Sequence, residues 1–509
     1  MDILHDKDNV VISPLTSNLS ENIDTFEALL VNCSDVIKRK FTIGNKNKVD
    51  IYISYIDNMI DKILLEQDTI RNLLNNMEDL PETNQFEFIR DNGLQTTDIK
   101  EIITMDDVTQ TVLSGDCVIM VDGYEKALVI AIKGYPGRGV PAVEAEVTIK
   151  GSKDSFTESI AVNKVLIRRR IRDTQLKVEP LKVGIRSRTD LSILYVSGIA
   201  KTELVDEIKR RINSFTIDGI FDIGMLEQLT ETSWYSPFPQ FQSTERPDKT
   251  ASALLEGRVV ILVDNSPMAL LLPATLNSFF QASDDYYNRW EVVSFIRVLR
   301  YIAAMLAIGL PGLYIAITNY QPELIPTSLA LSFAAAREGV PFSIVLEIII
   351  MELAFELLSE AGVRLPAPMG NTIGIVGGLI IGDAAVSANL VSPMVVIVVA
   401  FTAIASFSIP NETFSSAFRI TRYLIIILSA WLGLYGYILG MMLVLMHLAG
   451  LKSFGVPYLS PFVANGTEKG SAIYDTILKF PIFDLKKRPI YSNPEEKIKY
   501  VDKKHKNMK

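Results

Sequence analysis

Four carboxylates stand where the chain lacks an ordinary water-soluble surface. Glu347, Glu352 and Glu356 interrupt one long apolar stretch, and Asp383 interrupts the next. An ionised carboxylate facing lipid is costly, so such residues turn towards protein, water or a passing ion. Glu352 and Glu356 lie about 40° apart round a helix and share a face, whereas Glu347 falls roughly on the opposite side. Paired acids of this kind suggest an ion path; the plainer alternative is headgroup water, or ion pairs with Arg337 or Arg364. Ahead of Asp383, Gly370, Gly374, Gly378 and Gly382 recur every fourth residue. On a helix they form a stripe without side chains, so another backbone can approach closely, within one subunit or between identical helices round a pore. Val376 lies opposite the middle of that stripe. If the glycines pack outward it is a candidate hydrophobic constriction, and Asp383 could supply a ring of carboxylates favouring cations.

Other chemistry finds no footing. The three histidines (His5, His447, His505) are scattered, and two cysteines, Cys33 and Cys117, are too few for a disulfide framework. Residues 134–139 are glycine-rich but lack the Lys-Ser/Thr of a phosphate loop, and read as a turn. With no Ser-His-Asp, Cys-His or zinc spacing, the chain is not expected to be an enzyme, and neither a cofactor nor a nucleic-acid partner is expected. His447 reads as a hydrogen-bonded helix-packing residue. Arg168, Arg169 and Arg170 project about 100° apart on a helix, so they cannot form one clamp. Their expected role is a solvated cytoplasmic contact or salt bridges to another subunit.

Two kinds of structure must position these groups. The chain carries a net charge of −9 with 21% charged residues, yet between Tyr301 and Gly450 there are only 12 charged side chains and no lysine. A soluble block of that size needs a charged surface, so this one fits hydrocarbon as its solvent. About 20 mostly apolar residues make a spanning helix. The expectation is a membrane domain over 298–450 with about four spans, at 301–319 (kinked near Pro311), 341–359, 372–409 (broken near Asp383) and 423–450. Lys/Arg counts flanking the block place both of its ends on the cytoplasmic side. Residues 1–21 are expected to be disordered and 451–509 to be an extended basic cytoplasmic tail, which could lie on lipid headgroups. No signal peptide is apparent in MDILHDKDNV.

The region before the spans repeats itself. Leu113–Ile130 aligns with Leu255–Leu272 at an offset of 142, matching Gly115/Gly257 and Asp122/Asp264. Ile43–Tyr55 aligns with Val183–Tyr195 at an offset of 140, matching Gly44/Gly184 and Asp50/Asp190. Each stretch reads as strand, turn, strand. The fold class expected is therefore two related α/β subdomains with β-hairpins, at 22–150 and 155–295, followed by a polytopic α-helical membrane domain.

Longer blocks add a resemblance. Gly151–Ile171 (GSKDSFTESIAVNKVLIRRRI), Asp218-Gly219-Ile220, Thr244-Glu245-Arg246-Pro247, Gly257–Pro267 and Val456–Pro461 resemble, in order, the A-subunit (GerA) family of spore germinant receptors. Ser152 departs from that family's more usual proline. The resemblance implies a subunit in the inner membrane of an endospore, with its soluble region on the core side. It implies assembly as a homo-oligomer, a pentamer in the family, with a transporter-like B subunit and a C lipoprotein. It further implies a nutrient-gated ion channel. A non-conducting scaffold, or a stage V sporulation relative of the same architecture, is the alternative.

Overall fold

The two offsets of the repeat reappear as strand registers. A computed structural model of the chain describes residues 11, 13–75, 77, 79–94, 98–135, 140–143, 146–364, 382–463, 475–494 and 498. They fall into two compact units: one takes the chain up to Glu231, Phe241–Pro273 and the chain from Lys486, and the other takes Thr232–Gln240 and Ala274–Leu485.

The first unit holds two five-stranded sheets. Strands β1 (Val36–Ile43), β2 (Val49–Ile56), β3 (Ile99–Ile102), β4 (Cys117–Val121) and β5 (Ala127–Ile130) are ordered β1-β2-β4-β5-β3. Strands β6 (Leu176–Val183), β7 (Thr189–Val196), β8 (Gln242–Thr244), β9 (Val259–Val263) and β10 (Ala269–Leu272) are ordered β6-β7-β9-β10-β8, the same topology. Val36 pairs with Ile56 and Leu176 with Val196, both 140 residues on. Cys117 pairs with Ile130 and Val259 with Leu272, both 142 on.

Successive side chains of a strand point to opposite faces. In the first sheet Tyr52, Val118 and Met120 therefore join one core, while Ile51, Ile53, Ile119 and Val121 join another. Both faces are covered, so β4 is apolar throughout rather than alternating. One face is packed by helices α1 (Leu19–Leu29) and α2 (Met105–Leu113), and the second sheet's equivalents are α3 (Ile160–Arg168) and α4 (Pro247–Leu255). The repeated aspartates explain how each helix is seated. Asp122 Oδ1 accepts the Leu19 N–H at the start of α1, and Asp264 Oδ1 accepts the Ile160 N–H at the start of α3, each at 3.1 Å. These bonds satisfy helix N–H groups that have no intrahelical acceptor.

The second unit is helical: α5 (Trp290–Tyr320), α6 (Thr327–Ala336), α7 (Ile344–Arg364), α8 (Pro393–Phe407), α9 (Glu412–Leu432) and α10 (Leu434–Gly450). Among the described residues, α5 is the one helix long and apolar enough to cross a membrane. Its 31 residues reach about 46 Å at 1.5 Å per residue. The uncharged stretch 423–450, expected as one helix, is two. Gly433, at φ +59°, reverses the chain between α9 and α10. Gly436 of α10 then lies against the Leu428 carbonyl of α9, too close for any side chain, and Gly440 packs closely on Ile425 and Leu428. In the preceding apolar stretch, residues 382–387 are helical and the chain breaks at 388–392, just past Asp383.

The tail is not simply extended. Lys452-Ser453 and Val456-Pro457 form a small hairpin in the helical unit. Further on, Asn493 N–H donates to the Ile199 carbonyl at 2.8 Å, and Tyr491 packs buried in the first unit beneath the Arg258 guanidinium, 5.3 Å from its ring.

Candidate functional site

Arg422 is the hub of the polar interior of the helical unit. A proline inside a helix cannot donate to the carbonyl four residues back. In α5 this frees the Ala307 carbonyl opposite Pro311, and Arg422 Nε of α9 donates to it at 2.7 Å. Arg422 Nη2 reaches Ser406 Oγ of α8 at 2.7 Å, and Nη1 reaches Glu352 of α7. One buried guanidinium thus ties four helices together. The approach is close because Gly309 and Gly312 flank Pro311: a Cβ on Gly312 would lie 2.7 Å from Ile425 of α9, and one on Gly309 would lie 2.8 Å from the Tyr437 hydroxyl of α10.

The other two acids of α7 are also paired. Glu356 meets Arg419 at 2.8 Å, one turn back along α9. Glu352 with Arg422 and Glu356 with Arg419 make a ladder between antiparallel helices. Glu347, fully buried, accepts the Ser392 N–H at 2.8 Å and lies 3.3 Å from Arg337. Ser392 is the residue before α8, so this carboxylate faces the positive end of that helix. The geometry favours the ion-pair reading of these acids over the open ion path: each has a cation, and Arg337 is the one expected from the sequence. Arg419 and Arg422 lie just ahead of the span expected from residue 423, outside the candidate residues of the sequence. Their spacing of three, matching the four between Glu352 and Glu356, was the available signal. A cavity of about 210 Å³ lies beside the ladder, lined by Glu356, Ser359, Ser406, Ser415 and Arg419 among others.

Asp383 contrasts with these three. It is exposed, and among the described residues it has no ion-pair partner. Gly382 beside it is buried, and a Cβ there would meet Val396 of α8 at 3.4 Å. Gly370, Gly374, Val376 and Gly378 lie outside the described residues. His447 accepts or donates a 2.8 Å hydrogen bond with Ser236 Oγ, in keeping with a packing role.

The three arginines at the end of α3 have three separate destinations, and the first corrects the expectation of a solvated or inter-subunit contact. Arg168 is buried: Nε and Nη2 grip both oxygens of Asp35 at 2.9 and 3.0 Å, and Nη1 donates to the Asp173 carbonyl. Asp35 precedes β1, so this pair locks the two sheets' subdomains together. Around it Ser34 N–H donates to the Val178 carbonyl and Val178 N–H to the Asn32 carbonyl. Lys177, whose ammonium is held below its usual range by burial, donates to the Leu29 carbonyl. Burial also pushes the nearby Cys33 thiol up, so it is a poor nucleophile. Arg170 pairs with Asp154 at 2.7 Å, and exposed Arg169 sits 4.7 Å over the Tyr135 ring.

Comparison with known proteins places this arrangement. Residues 24–491 match the Bacillus/Clostridium GerA spore germination protein family. Spore germination protein KA of Bacillus subtilis (strain 168) is 37% identical over 96% of this chain and 89% of its own. The uncharacterized membrane protein YfkQ of the same organism is 38% identical over 94% and 91%. The crystal structure of the N-terminal domain of the A subunit of the Bacillus megaterium spore germinant receptor GerK3 is 30% identical, with a TM-score of 0.41, covering 52% of this chain and 98% of that one. The match runs through both sheets and the helical unit, and the chain belongs to the GerA family, the A subunits of spore germinant receptors.

Proposed function

We propose that this chain is a polytopic subunit of the endospore inner membrane that forms, with copies of itself, a nutrient-gated ion channel. Its first unit lies on the core side, and it works beside a transporter-like B subunit and a C lipoprotein, as a pentamer if it follows the family. The observation that carries the reading is the contrast among the four acids. Glu347, Glu352 and Glu356 are each matched by an arginine, whereas Asp383, next to Gly382, is exposed and has no ion-pair partner among the described residues. An unpaired carboxylate in such a block is where a cation would be met.

One observation favours a second reading, a non-conducting scaffold or a stage V sporulation relative. Glu347, Glu352 and Glu356 each pair with an arginine and so are held by the protein itself, as a structural role would have them. Flux measurement separates the two. The purified full chain, verified as an oligomer, is reconstituted in vesicles with and without the B and C subunits, and potassium release is recorded. Under the channel reading the oligomer conducts and Asp383→Asn conducts severalfold less. Absence of flux in every condition that opens the complex leaves only the scaffold.

A further inference from the structure

Residues 232–240 leave the first unit's stretch of chain to pack among the helices, and they carry an unusual pair. Trp234 is 84% exposed and Tyr235 is 68% exposed. The segment itself is firmly seated. Gln240 Oε1 accepts the N–H groups of Thr232 and Ser233, Ser236 bonds His447, and Phe238 is buried against Phe414 and Phe418. Two large aromatic side chains are thus held outward by a rigid turn rather than left on a loose loop.

Their surroundings indicate what they meet. Tyr235 stacks edge-on to the His447 ring at 6.1 Å, near the C-terminal end of α10. From Tyr435 to that point α10 presents an exposed, uncharged stripe of Ile438, Met442, Leu445 and Met446 at helical spacing. At the other end of the stripe stand a second exposed pair, Trp431 at 76% and Tyr435 at 84%, with Tyr320 beside the Gly433 turn. Along α10 the two pairs are separated by the 12 residues from Tyr435 to His447, about 18 Å of apolar helix. Indole and phenol rings gather at membrane boundaries because each has an apolar body and a polar edge.

We propose that Trp234 and Tyr235 are a lipid-interface anchor, seated among the headgroups at the end of the helical unit where residues 232, 240 and 274 enter it. The anchor rests on the membrane reading above. Lipid is favoured over a protein occupant by continuity: the apolar stripe of α10 runs to the foot of the pair without a charged residue.

The test uses the full chain in phosphatidylcholine–phosphatidylglycerol vesicles. Its tryptophans are Trp234, Trp290 and Trp431, so W290F/W431F leaves Trp234 as sole reporter and W234F/W290F leaves Trp431. The expected result is loss of Trp234 emission with lipids brominated near the headgroup, less loss with deep-brominated lipids, and weak quenching by aqueous iodide. Strong iodide quenching without bromolipid quenching, or protection from both, overturns the anchor. If Trp431 is quenched by bromolipid while Trp234 is not, the anchor falls and the membrane reading stands; if neither is quenched, both fall. Should W290F/W431F not fold, W234C carries a spin label instead, since the native cysteines Cys33 and Cys117 are buried. Collision with oxygen and shielding from aqueous nickel are then expected, and free access to nickel overturns the proposal.

Discussion

Replacing Arg422 alone should be among the most damaging single changes in the helical unit, and replacing Arg422 and Glu352 together should be far milder. Arg422→Met leaves the Glu352 carboxylate buried without its cation, which costs about 3–5 kcal/mol. It also orphans the Ala307 carbonyl, worth about 1–3 kcal/mol, although the two losses overlap. Glu352→Leu strands the guanidinium instead, at a similar cost of about 3–5 kcal/mol. The double variant Glu352→Leu/Arg422→Met buries no charge; only the carbonyl and Ser406 lose partners, so about 1–3 kcal/mol is expected. The singles therefore sum to well above the double, with a coupling of at least about 3 kcal/mol. Pro311→Ala supplies an amide for Ala307, and in that background Arg422→Met should be milder by about 1 kcal/mol. Unfolding of the full chain in mixed micelles, driven by SDS and followed by tryptophan emission, gives the free energies. Singles that add to the double within about 0.5 kcal/mol refute the hub, because independent sites add and a shared charge pair does not.

Two further outcomes follow from the first unit. Asp264→Ala should remove the bond at the start of α3 for about 1 kcal/mol, seen as faster amide hydrogen exchange in residues 160–163 with the rest of the sheet unchanged; Asp122→Ala should do the same at the start of α1. Arg168→Met should cost about 3–5 kcal/mol by stranding Asp35, whereas Arg169→Ala should cost under about 1 kcal/mol. Limited proteolysis between the subdomains, at residues 31–35, reads the difference, and equal sensitivity of the two variants refutes the lock.

The repeat was legible because turn chemistry is local. Gly44, Gly184, Gly115 and Gly257 all take positive φ, a conformation that favours glycine, so the same residue marks the same place in each half. A third repeated pair is visible only in the fold: Asn22 brackets the Thr16 backbone as Asn163 brackets Thr157, 141 residues on. What local pattern could not give was partnership across distance. Arg168 sits beside two more arginines in the chain, and only the fold shows that it alone faces Asp35, 133 residues earlier. Likewise residues 423–450, the second half of α9 and all of α10, form one uncharged run, and the positive φ at Gly433 divides it.

Twelve charged side chains in 150 residues leave both an ion path and ion pairs open for the acids of α7. Each of the three is matched with an arginine from another part of the helical unit, at the points where α7 meets α8 and α9. Such pairs give register as well as neutrality. Sliding α7 by one residue against α9 would separate both Glu352 from Arg422 and Glu356 from Arg419, so the ladder fixes the helices along their length. Apolar contacts alone fix that register weakly where lipid is as apolar as the side chains. Of the four acids singled out in the sequence, Asp383 alone has no arginine partner among the described residues, which is why Asp383→Asn is the variant that tests the proposed channel.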